Sequence, residues 1–169
     1  IPTPPPPPPT RAAAPTPAPA PPAGVDFRLV SVRLWGPIEN GGYFDGPSLH
    51  CGEKRQLRGI VLDAAGQPLN GVTLLGVYSG VEQVSGSKGP GVAEWILGGG
   101  DDLIVLRDID GRQASSERGA NLVTDVGRIA DDHLIASGYC SDAGSCAGLR
   151  AANACYGHFS WDVTFQRTY

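Results

Sequence analysis

Phe159-Ser-Trp-Asp-Val-Thr-Phe-Gln166, close to the C-terminus, alternates with a period of two. Phe159, Trp161, Val163 and Phe165 share one side; Ser160, Asp162, Thr164 and Gln166 share the other. Successive side chains of a strand point to opposite faces, so this is a strand with one face in a core. Working outward, Val25–Trp35 is also strand-like, but its apolar phase slips. Phe27 and Leu29 have one parity, and Val30, Val32 and Leu34 the other. A bulge, or a strand buried on both faces, is expected there. Further strands are expected at Leu57–Asp63, Val72–Tyr78, Val92–Leu97, Leu103–Ile109 and Asn121–Val126. Turn chemistry separates them: Asn40-Gly41-Gly42, Ala65-Gly66, Asn70-Gly71, Gly98-Gly-Gly-Asp101 and Asp110-Gly111. No window gives an amphipathic helix longer than a few turns. Short strands with regular turns predict an all-β sandwich.

The segment Gly59-Ile-Val-Leu-Asp63-Ala-Ala-Gly66-Gln-Pro68-Leu69-Asn-Gly71-Val72 has its own local logic. Asp63 and Gly66 bracket a turn. Pro68 cannot donate to a ladder and so belongs at an edge, and Asn70-Gly71 supports positive φ. The same residues resemble the opening hairpin of the carboxypeptidase regulatory-like, prealbumin-type Ig-like modules, with Thr73–Tyr78 as the strand that follows. Ser85–Leu97 and Leu103–Gly111 resemble that module's next hairpin, although Gly98–Asp102 replaces the usual Pro-Gly-x-Tyr turn. The resemblance implies an Ig-like sandwich of about seven strands that decorates secreted and surface proteins and is not itself catalytic. It does not reach beyond Gly119.

Composition divides the chain in two. Twelve of the 16 prolines fall within the first 22 residues, so residues 1–24 form a Pro/Ala-rich arm and residues 25–169 a single domain. Pro4, Pro5, Pro6, Pro7, Pro8 and Pro9 are consecutive, and proline locks φ near the polyproline II value while removing the amide donor. A stiff rod is expected, reaching on the order of 70 Å for the whole arm. Thr3, Thr10 and Thr16 each neighbour a proline, the composition of O-glycosylated stalks. The net charge is −4, without basic clusters, which argues against nucleic acid; no apolar run approaches bilayer length, which argues against membrane insertion. A chain with no Met that begins at Ile1 reads as processed, with a leader peptide removed, and hence extracellular or at the cell surface.

Cys140, Cys146 and Cys155 sit in a small-residue loop within an insertion at about 127–157, before the last strand, and Cys51 lies far upstream. Four cysteines in such a chain are expected to form disulfides, in one of three connectivities. Pairing Cys140 with Cys146 closes a short loop, and pairing Cys51 with Cys155 staples that loop to the domain. A zinc site lacks a C-x-x-C pair and a second shell.

The search for chemistry returns little. His50, His133 and His158 are isolated, and no metalloprotease, nucleophile-elbow, phosphate-loop or dinucleotide motif occurs. Asp101-Asp102, Asp108-x-Asp110-Gly111 and Asp131-Asp132 are acidic turns; the second resembles a calcium-loop fragment without its later ligands. No cofactor or metal is expected, and no enzyme. Trp35, Tyr43, Phe44, Trp95 and Trp161 are the aromatics available to a stacking platform, and Tyr43-Phe44, in the Gly- and Pro-flanked loop Gly36–Gly52, are the contact candidates. The expected function is a structural subunit of an extracellular filament or surface fibre. It assembles with itself, head to tail, as one copy's arm docks on the next, with the option that part of Val25–Trp35 travels with the arm. The alternative is a secreted adhesin or carbohydrate-binding module on a glycosylated Pro-rich stalk.

Overall fold

The computed structural model describes residues 24–169; the proline run Pro4–Pro9 and the threonines Thr3, Thr10 and Thr16 lie outside them. The described chain is a sandwich of two four-stranded sheets. One sheet has the order β1-β10-β4-β7, from β1 (Phe27–Leu34), β4 (Gln56–Leu62), β7 (Val92–Ile96) and β10 (Trp161–Arg167). The other has the order β6-β5-β8-β9, from β5 (Thr73–Gly76), β6 (Glu82–Val84), β8 (Gly100–Arg107) and β9 (Gly119–Val123). A separate hairpin is made by β2 (Tyr43–Asp45) and β3 (Ser48–His50). Eight strands thus form the two layers, against the expected seven or so.

The alternating C-terminal strand sits in the middle of its sheet, antiparallel to β1 and parallel to β4. Phe159, Trp161, Val163 and Phe165 are buried in the core, where they meet Leu57 and Val61 from the same sheet and Leu74, Leu103 and Leu122 from the other. The phase slip in β1 is a bulge: Leu29 pairs with Phe165 and Ser31 with Thr164, so Val30 is left over and half exposed. One extra residue absorbs the change of parity and keeps both halves of the strand apolar side in.

The two sheets approach closely because glycine lies between them. A Cβ on Gly59 would come within 2.5 Å of Leu74 Cδ2 and 3.3 Å of Leu103 Cδ2. Gly59→Val therefore pushes the layers apart at a closed core; urea titration is expected to show a loss of about 1–3 kcal/mol, and an unchanged midpoint would contradict this packing.

Four expectations need correction. First, Gly59–Val72 is not a hairpin: β4 and β5 belong to different sheets. A Leu62–Pro68 bridge, with Leu69 N donating to Val61 O and Asp63 N to Gln67 O (both 2.8 Å), folds the turn back without extending into a hairpin. The turn itself follows its chemistry. Asp63 Oδ1 accepts from Ala65 N (2.9 Å) and Gln67 N (2.8 Å), and Gly66 takes φ +82°. Second, Ser85–Leu97 and Leu103–Gly111 do not pair either, since β7 and β8 also lie in opposite layers. Third, the loop Gly36–Gly52 contains the β2–β3 hairpin, turned at Gly46 with φ +56°. Fourth, the insertion before β10 is helical. It holds a 3-10 turn (Val126–Arg128), α1 (Asp131–Ala136) and α2 (Ala143–Ala151). Alanine-rich sequence favours helix once it is nucleated. Here Asp142 accepts from Ser145 N while Ser145 Oγ accepts from Asp142 N, a reciprocal cap on the first turn.

Candidate functional site

Strand register defines two poles. Leu34, Trp161, Leu57 and Trp95 are paired neighbours across one end of the first sheet, and Phe27 pairs with Arg167 at the other. The poles are about 20 Å apart, six residue steps of β10. The N-terminal arm joins the domain at the Phe27 end, called here the root pole. The opposite end is the far pole.

The root is held from two sides. Thr168 N donates to Asp26 O (2.9 Å) and Thr168 Oγ1 to Val25 O (2.9 Å). From the other layer, Asp26 Oδ2 accepts from Ser115 N (2.8 Å) and Ser115 Oγ (2.9 Å), and Arg112 pairs with it at 3.3 Å. The Ser115 amide and hydroxyl, helped by Arg112, hold the Asp26 carboxyl below its ordinary range. Next to this clamp, the fully buried Asp108 carboxylate accepts from Tyr169 Oη and faces Arg167 at 3.0 Å and Arg112 at 3.6 Å. Its place in Asp108-x-Asp110-Gly111 is thereby filled by arginines rather than left open for a cation. Val25 to Leu34 is bonded into its own sheet.

On the outer face of the β1-β10-β4-β7 sheet, Asp162 is 4% exposed although it falls on the polar side of its strand. Arg33 from β1 bonds Oδ2, Arg58 from β4 takes both oxygens (2.7 and 2.8 Å), and Trp35 Nε1 donates to Oδ1 (2.7 Å). Glu39 completes the group with two bonds from Arg33 at 2.6 and 2.8 Å. Arg58 lies 4.5 Å from the Trp35 ring centre and Lys54 5.5 Å. Burial pushes the Asp162 carboxyl up; the bonds from Arg58, Trp35 and Arg33 outweigh it and leave it below the ordinary carboxylate range. Every charge is matched, so this cluster ties three segments together rather than waiting for a ligand. It also borders a cleft of about 340 Å³ between β1 and α1, whose polar lining is the Arg33–Glu39 pair with His133 and Ser137.

The cysteines pair as Cys51–Cys155 and Cys140–Cys146. The long-range bond is reinforced by Asn40, fully buried, which donates to Lys54 O (3.0 Å) and His158 O (2.6 Å) and accepts from Ser160 Oγ (2.6 Å). Sequence reading assigns Asn40 only to a turn; its role as a bridge between two loops has no local signal. Two disulfides fit a secreted or surface protein. No described helix is long and apolar enough to cross a membrane.

The three histidines stay apart: His50 stacks on Tyr43 (4.3 Å), His133 meets the edge of Trp161 (5.0 Å), and His158 Nδ1 lies 3.2 Å from Glu53 O. Among the described residues no three metal-ligating side chains converge. Of the aromatic platform, Trp35, Trp95 and Trp161 are buried, while Tyr43 and Phe44 stand exposed on the β2–β3 hairpin. Sequence reading misses the most exposed aromatic side chain among the described residues, Tyr78, 72% exposed, because it ends an expected strand.

Tyr78 stands at the far pole between two connected clefts of about 190 and 320 Å³. Asp101 fixes the turn beneath it: Oδ1 accepts from Tyr78 N and Asp102 N (both 2.8 Å), and Oδ2 from Ser79 Oγ (2.5 Å). Asp102 is likewise committed, to Asn121 N (2.8 Å) and Arg118 (2.7 Å), and Arg118 packs 5.4 Å from the Tyr78 ring centre. The smaller cleft is lined by Trp95, Ile96 and Leu97, with Ile96 69% exposed. Trp95 Nε1 is buried and has no acceptor, an arrangement that costs about 1–3 kcal/mol when nothing compensates it. No family model, no curated protein and no solved structure matches this chain, so its function is read from these two poles.

Proposed function

We propose that the chain is a non-catalytic structural subunit of an extracellular filament or surface fibre, in which the Pro-rich arm of one copy docks on the next. The observation that supports this most is polarity. The arm joins the domain at a doubly held root, and the open clefts with exposed aromatic and aliphatic side chains lie at the opposite end. A contact between unlike ends does not close on itself and grows an open chain of subunits. A polyproline rod loses little conformational freedom on docking, which favours it as the connecting element. Burial of all three tryptophans weakens the rival reading of a sugar-binding module on a glycosylated stalk.

Sedimentation velocity of the full chain and of Val25–Tyr169 tests the proposal. Among the described residues the buried core runs from Phe27 to Phe165, so the shortened chain is expected to melt like the parent. The full chain should form species that grow with concentration, and the shortened one should remain monomeric. Assembly that persists without the arm would refute the reading.

A further inference from the structure

Resting on that reading, we propose that the far-pole cleft of Tyr78, Trp95 and Ile96 is the acceptor for the polyproline arm of a second copy. Three independent observations converge on it.

The first is chemical complementarity. The run Pro4–Pro9 has no amide N–H, so it offers a partner only carbonyl acceptors and apolar rings. Proteins that bind polyproline helices do so with aromatic-lined grooves. The cleft presents the exposed Tyr78 ring and Ile96 side chain, and its wall includes buried Trp95, whose Nε1 has no acceptor. The nearby carboxylates are already occupied, Asp101 by Tyr78 N, Asp102 N and Ser79 Oγ, and Asp102 by Asn121 N and Arg118. A proline carbonyl is a suitable acceptor for the unused Trp95 N–H, and the proline rings suit Tyr78 and Ile96.

The second is position. The residues preceding Val25 enter at the root pole, and the cleft opens about 20 Å away at the other end. Val25 and Asp26 extend β1 backwards, held by Thr168 and Ser115, so the chain enters the domain at the end opposite the cleft. With a reach on the order of 70 Å, the arm can instead meet the cleft of a neighbour.

The third is what the competing sites lack. The cleft beside α1 is lined by no Tyr, Trp or Phe; its one ring, His133, packs on Trp161, and its Arg33–Glu39 pair is self-neutralised. Strand addition at an open edge is closed to a segment without amide donors.

The test uses the full chain as wild type, Tyr78→Ser and Tyr43→Ser, followed by sedimentation and by NMR of the indole N–H signals. Tyr78 is exposed, so its loss should leave the thermal melt unchanged. Tyr78→Ser is expected to weaken association at least tenfold, and Tyr43→Ser to leave it unchanged. One indole signal, assigned by its disappearance in Trp95→Phe, should move downfield as wild type assembles. If Tyr78→Ser associates like wild type while Val25–Tyr169 stays monomeric, this acceptor site is wrong and the arm-docking reading stands. If wild type itself stays monomeric at every concentration, both are overturned. A Trp95 indole already shifted in dilute monomer would mean that the arm occupies its own domain, which also overturns the proposal. A cellohexaose titration that moves the same signal in Val25–Tyr169 would give the cleft to a saccharide instead.

Discussion

Removing the Cys51–Cys155 bond, by Cys51→Ser together with Cys155→Ser, is expected to lower the stability of the fold by about 4 kcal/mol, the largest effect of any change considered. The bond spans 104 residues and ties the chain before β4 to the chain before β10. Cross-linking stabilises mainly by restricting the unfolded chain, and the entropic limit for a loop of this size is about 4–5 kcal/mol. Cys140–Cys146 spans only six residues, for which the same argument gives about 2 kcal/mol. The two bonds should therefore separate cleanly in urea titrations of the paired serine variants. Equal losses would mean that the long bond acts through strain or local packing rather than chain entropy. Loss of the long bond leaves Asn40 as the buried link between the two loops, beside the His158–Glu53 and Gln56–Ser160 contacts, so Asn40→Ala should cost more without the disulfide than with it.

Asp162→Ala is expected to cost about 2–3 kcal/mol. The carboxylate accepts from Arg33, Arg58 and Trp35, and hydrogen bonds to charged groups are worth about 1.5–3 kcal/mol each. The loss stays below that sum because both arginines are partly exposed and can turn to water. Trp35 Nε1, by contrast, is buried and loses its acceptor outright. The same carboxylate gives a pH signature. Its folded pKa lies below the ordinary value of 3.8, so its contribution is complete above that value and is lost as pH falls below it toward the folded pKa. Asp26 acts in the same sense at the root. Stability should thus decline below about pH 4, and Asp162→Asn should flatten part of that decline. An unaltered acid profile in the Asn variant would show that the arginine cluster contributes nothing to folding.

The sandwich is legible in the sequence wherever strands are long enough to alternate. Phe159–Gln166 and the slipped phase of Val25–Trp35 give both the central strand and the bulge. What local pattern does not carry is which strands pair. Gly59–Val72 has every residue of a tight turn, and the turn forms, but the arms continue into opposite layers. Asp162 sits on the polar parity and is nonetheless buried, because Arg33 and Arg58 reach it from 129 and 104 residues away. The β2 and β3 strands are three residues each, too short for a period to register, though Asp45-Gly46 is a hairpin signal. Helix α2 has no apolar stripe; its one mark is Asp142 three residues before Ser145. The far-pole cleft is the least legible, since Tyr78, Trp95 and Asp101 meet only after the two sheets are folded together.

The most direct test is an isotope-mixed cross-link. A photoreactive residue at Pro7 of an isotopically heavy chain is mixed with light chain under assembly conditions, irradiated and mapped by mass spectrometry. Adducts from the heavy arm to the light Tyr78–Leu97 segment are the predicted result. Adducts confined to heavy chain alone, or scattered over both poles, would contradict an arm passed from one copy to the next.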